Sequence, residues 1–116
     1  MQFKERKVLI VVRSKPFGKI TSFEGWRAAV GMYGMDHQPT LLFLGDGVYS
    51  LMKTMDDKPI RMFKSTYKGF GGRICASKRS MDERSITRED ILEGVDLVDA
   101  EGIGALLSEN EVVLTF

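Results

Sequence analysis

The chain has 116 residues, enough for one domain with a good core and too few for two. Hydrophobic residues at 43% and charged residues at 28% are the balance of a globular protein, and a net charge of +1 gives no general attraction to nucleic acid or an anionic membrane. One cysteine excludes an internal disulfide and a cysteine-rich zinc site, and one histidine provides no second ligand at a metal-binding spacing.

The amino-terminal MQFKERK and the five apolar residues after it lack the length and cleavage site of a secretory signal. VLIVV (8–12) and LLFL (41–44) are too short to span a bilayer, so the expected compartment is the cytoplasm. No repeat, low-complexity tract or linker divides residues 1–116, which read as a single domain.

KVLIVVR (7–13) is a continuous β-branched run, as expected of a strand buried on both faces of a parallel sheet. After the loop SKPFGK (14–19), Phe23, Trp26, Val30 and Tyr33 share one helical stripe, with Gly34 placed to stop that helix. PTLLFL (39–44) predicts the second strand, ended by Gly45-Asp46-Gly47. Val48, Leu51, Met52 and Met55 have the spacing of a second helix. Pro59 suits the first turn of a third, with the stripe Ile60, Phe63, Tyr67 and Phe70, stopped by Gly71-Gly72. RICAS (73–77) predicts a third strand, and the polar SKRSMDERS (77–85) an open, solvated loop. Thr87 to Asp90 has the capping-box pattern for a short helix closed by Gly94. VDLV (95–98) is a fourth strand, DAEGIGALLS (99–108) a helix with Ile103, Leu106 and Leu107 inward, and EVVLTF (111–116) a fifth strand. The alternation predicts a three-layer α/β/α domain on a mainly parallel five-stranded sheet.

Ligands and reactive groups in such sheets collect at the carboxyl ends of the strands. Arg13 and Lys15, the Gly45-Asp46-Gly47 turn and Cys75 all fall near such ends. The glycine turn lacks the phosphate-binding loop pattern, and Asp46 would repel an anion, so its reading is a structural turn with Asp46 capping the next helix. His37, in the polar turn MDHQP, reads as a solvated turn histidine rather than a catalytic one. Cys75 presents the best chemical case. Positive charge lowers a thiol pKa from about 8.5 into the range ~3.5–7.5, and Arg73, Lys78 and Arg79 are neighbours in sequence. The first-strand loop adds Arg13 and Lys15 as groups that would stabilise a thiolate or steer a partner. A lone cysteine in a strand is equally a small buried hydrophobe, and the residues alone leave both readings open.

FLGDGVYSL (43–51), ICAS (74–77) and above all GVDLVDAEGIGALLSENEVVLTF (94–116) resemble the DsrE/DsrF-like group, which includes TusC/TusD-like subunits; the opening VVRSKPFG (11–18) is similar too. The resemblance spans essentially the whole chain. It implies a sulfur-relay protein that carries sulfane sulfur as a persulfide on Cys75, without metal or organic cofactor, and passes it to a partner thiol in tRNA thiolation or sulfur oxidation. It also implies a homo- or hetero-oligomer, a trimer or hexamer, with sulfur donor and acceptor proteins as partners and no direct contact with nucleic acid or membrane. Two alternatives stand beside it. One is a non-catalytic subunit of such an oligomer with an inert cysteine, and the other a small-ligand module using the glycine turn.

Overall fold

The apolar runs pair into one five-stranded sheet. In the computed structural model, which describes residues 4–116, its strands are β1 (Lys7–Val12), β2 (Gln38–Phe43), β3 (Arg73–Ser77), β4 (Val95–Val98) and β5 (Val112–Thr115). The part of the signal-peptide reading that falls on residues 1–3 lies outside the described residues. The spatial order is β4-β3-β2-β1-β5 and every neighbouring pair is parallel, so the sheet is wholly parallel where a mainly parallel one was expected.

Side-chain alternation divides the core in two. Val8, Ile10, Val12, Leu41, Phe43, Ile74 and Ala76 face a thick layer formed by α1 (Thr21–Gly34), a 3-10 turn at Gly45–Leu51, α2 (Arg61–Gly69) and α3 (Lys78–Glu83). Leu9, Val11, Leu42 and Cys75 face the other way, against Leu106 of α4 (Ala100–Glu109). Helices thus lie on both faces, but one face of the sheet has a single helix across it. β1, apolar at every position from Val8 to Val12, is buried on both faces as its run requires.

Four local expectations are corrected. The helix expected over 48–55 is the 3-10 turn Gly45–Leu51, which begins inside the glycine turn. Its winding ends where the backbone is captured elsewhere: Met52 bridges Ile91, Leu92 N–H donates to the Leu51 carbonyl, and Lys53 N–H to that of Asp90. The segment expected to be an open loop contains α3, because the Ser77 hydroxyl caps it by accepting from Ser80 N–H at 3.1 Å while Ser80 and Met81 turn into the core. Gly34 does not stop α1. The left-handed residue is Asp36 (φ 60°), with Asp36 N–H bonded to the Tyr33 carbonyl and His37 N–H to that of Met32, the Schellman pattern. Leu107 points outward at 49% exposure, since Leu106 and Ile103 already fill the stripe that meets the sheet. The expected capping box is present, the Asp90 carboxylate accepting from both the backbone N–H and the hydroxyl of Thr87.

Candidate functional site

Cys75 is the middle residue of β3, in register with Leu42 on β2 and Asp96 on β4. The pleat sends its side chain toward α4, among Leu9, Val11, Leu42 and Leu106, and its exposure is 0%. Burial pushes the thiol pKa up, Arg73 pulls it down, and Asp96 pushes it up again. Arg73 is itself engaged, its Nε donating to Asp96 Oδ2 at 2.9 Å, so the closest cation brings its own counter-charge. The thiol therefore lies in an apolar layer whose burial favours its protonated form.

The other basic residues singled out by sequence lie elsewhere. Lys78 and Arg79 are exposed on the first turn of α3, and the charges that act on the thiol are those of Arg73 and Asp96. Arg13 and Lys15 share a cleft with Asp46 at the carboxyl end of β1, without pairing with it. With Ser14, Lys19, Thr115 and Phe116 they line a cleft of about 430 Å³, and Cys75 is not in its walls. The strand ends thus converge as expected, without the cysteine, whose side chain lies in the opposite layer.

The glycine turn is structural in a specific way. A Cβ on Gly47 would stand 2.1 Å from the Val12 carbonyl oxygen, so the backbone there lies directly on the end of β1, and Gly45 adopts φ 53°. Asp46 does not cap the following turn as expected; Arg84 takes it instead, with Nε and Nη2 both donating to Oδ1 at 3.1 and 3.0 Å. Arg84 Nη1 also donates to the Ser80 carbonyl, and Gly45 N–H donates to the Ser80 hydroxyl at 2.9 Å. This network ties α3 to the turn. Sequence reasoning missed Ser80 and Arg84, whose partners Gly45 and Asp46 lie 35 or more residues away, and Lys19, which lines the cleft with Arg13 and Lys15.

A second cleft adjoins the first. About 370 Å³ in volume, it is walled by Pro16, Ile20, Phe23, Met55, Pro59 and Ile60, and Lys19 lines both clefts. Among the described residues no group of three or more His, Cys, Asp or Glu side chains is arranged to hold a metal ion. No helix of the described residues is long and apolar enough to cross a membrane.

The DsrE/DsrF-like family model matches residues 6–116. The intracellular sulfur oxidation protein DsrF of Allochromatium vinosum is 28% identical over 131 aligned positions, covering 96% of each chain. Among solved structures, the ychN protein from E. coli superimposes with a TM-score of 0.83 at 18% identity, over 97% of this chain and 100% of that one. The MTH1491 protein from Methanobacterium thermoautotrophicum does so with a TM-score of 0.71 at 19% identity, with the same coverage. At these identities the two structures bear on the fold alone.

Proposed function

Since the chain belongs to the DsrE/DsrF-like family, matched from residue 6 to residue 116, we propose that it serves sulfur relay as a companion subunit, with Cys75 a core residue. The observation that carries this reading is the zero exposure of Cys75 in the middle of β3, under α4. Sulfur transfer requires thiolate attack on a sulfane sulfur, hence an accessible and ionised thiol. Burial opposes both. The relative named as an intracellular sulfur oxidation protein favours the oxidative branch of sulfur relay and an intracellular setting over tRNA thiolation. In this reading the chain assembles with a related subunit whose own cysteine is open to solvent.

The carrier reading, with Cys75 loaded as a persulfide, requires α4 to lift from the sheet. One experiment separates the two. The native protein is incubated with polysulfide, and its intact mass is measured with and without reductant; iodoacetamide labelling at pH 8 is followed in parallel, native and in urea. The companion reading expects no added sulfur and labelling only after unfolding. A reductant-sensitive gain of about 32 Da that maps to Cys75 in the native protein overturns it and makes the cysteine a carrier.

A further inference from the structure

The two adjoining clefts at the carboxyl end of β1 share one wall, the loop of residues 13–20, and one residue, Lys19. Their chemistry differs. The first presents Arg13, Lys15 and Lys19, and among the described residues none of the three lies within 4 Å of a carboxylate. Elsewhere Arg6, Arg61, Arg73 and Arg84 each hold one. The acidic side chain that does line this cleft, Asp46, is held by Arg84 rather than by Arg13, Lys15 or Lys19. The second cleft is apolar. Ile20 at its lip is 72% exposed, and Phe17 on the same loop is 59% exposed. Its one acid, Asp56, accepts from Lys58 N–H and is exposed.

We propose that the two clefts form one docking surface for an acidic segment of a partner protein carrying a large apolar side chain. The apolar side chain enters between Ile20, Phe23, Met55 and Ile60, and carboxylates beside it meet Lys19, Lys15 and Arg13. Charge complementarity chooses the occupant. A small oxyanion would satisfy the cations and leave the apolar cleft wet, whereas a purely apolar segment would leave three cations without counter-charge. A segment with both features satisfies both halves, with an apolar anchor in a pocket and charges at its rim. The surface stands on its own geometry, apart from Cys75 and from the sulfur reading.

The test is a fluorescence-anisotropy titration of the intact protein with a labelled peptide, Asp-Asp-Glu-Phe-Leu-Glu-Asp. Two controls accompany it, one with serine for the Phe-Leu pair and one with amides for the acids. The expected result is saturable binding that weakens as salt rises and is lost with either control peptide. Lys15→Glu with Lys19→Glu, and separately Ile20→Glu, should each weaken binding by about tenfold or more. Lys78→Glu with Arg79→Glu, on another surface, should leave it unchanged. All five side chains are exposed, so the variants keep the fold, which circular dichroism verifies. No binding up to about 1 mM overturns the proposal, as does equal binding of the serine peptide, which reduces the effect to charge alone. Concentration-dependent self-association of the free protein that Lys15→Glu abolishes also overturns it, assigning the surface to a second copy of the chain.

Discussion

Cys75 and Tyr67 are both buried with their pKa values pushed up, chiefly by loss of water. The Tyr67 hydroxyl also donates to the Arg73 carbonyl at 2.6 Å, a bond that the phenolate would lose. In each case the fold keeps a proton that the unfolded chain gives up, so the folded state binds more protons and stability falls as pH rises. The Cys75 contribution is complete below its unfolded value of about 8.5, and that of Tyr67 below about 10. Thermal melts from neutral to alkaline pH should decline in two stages, and Cys75→Ala should remove only the earlier one. Gly47 makes a steric claim as sharp as this electrostatic one. With its missing Cβ 2.1 Å from the Val12 carbonyl, Gly47→Ala should cost about 3 kcal/mol, read as a lower urea midpoint at unchanged slope. Trp26 poses the reverse case. Its indole Nε1 is buried without a hydrogen-bond partner among the described residues, so Trp26→Phe removes both ring volume and an unpaired donor. The two effects oppose, and the net change in urea stability should be within about 1 kcal/mol.

At the scale of elements, α3 and α4 show how differently a short helix can be held. α3 has six residues and only Ser80 and Met81 buried, so its cap matters more than its packing. Ser77→Ala removes the acceptor for Ser80 N–H and should cost about 0.5–2 kcal/mol in urea unfolding. The Arg84 hold on Asp46 should loosen with it, since both belong to the network around Ser80. α4 is capped too, the Asp99 carboxylate accepting from Gly102 N–H at 2.8 Å, but it adds a cover: Leu106 is its one fully buried residue and lies in the same cluster as Cys75. Leu106→Ala should destabilise the fold by about 2–5 kcal/mol and quicken native-state alkylation of Cys75, because the cover over the thiol is thinned. Unchanged alkylation in a folded Leu106→Ala variant would mean that something other than α4 shields the sulfur. The legibility of these elements in sequence follows the same division. Strands were plain because apolar runs such as Val8–Val12 advertise burial on both faces. α3 was not, because two buried residues make no period, and the 3-10 turn read as an α-helix because Val48 and Leu51 sit three apart in either winding.

For the whole molecule, alternation of runs predicted a parallel sheet with helices on both faces, and the sheet follows it. What the order of runs did not contain was the unequal thickness of the two layers. Sequence identifies Cys75 as flanked by Arg73, Lys78 and Arg79, but only Arg73, two residues away on β3, shares its face and acts on the thiol, whereas Lys78 and Arg79 leave with α3. The burial of Cys75 depends instead on where α4 comes to lie. β4 is at one margin of the sheet and β5 at the other, so the connection between them must traverse β3, β2 and β1. That strand order has a consequence for synthesis. Residues up to 99 contain every strand except β5 and all the helices of the thick layer, so that side of the sheet lacks only Val112, Leu114 and Phe116 before the rest of the chain is made. Residues 100–116 then supply both the roof of the other face and the strand that anchors its far end. The sulfur atom is thus among the last core atoms to lose contact with water as the chain emerges.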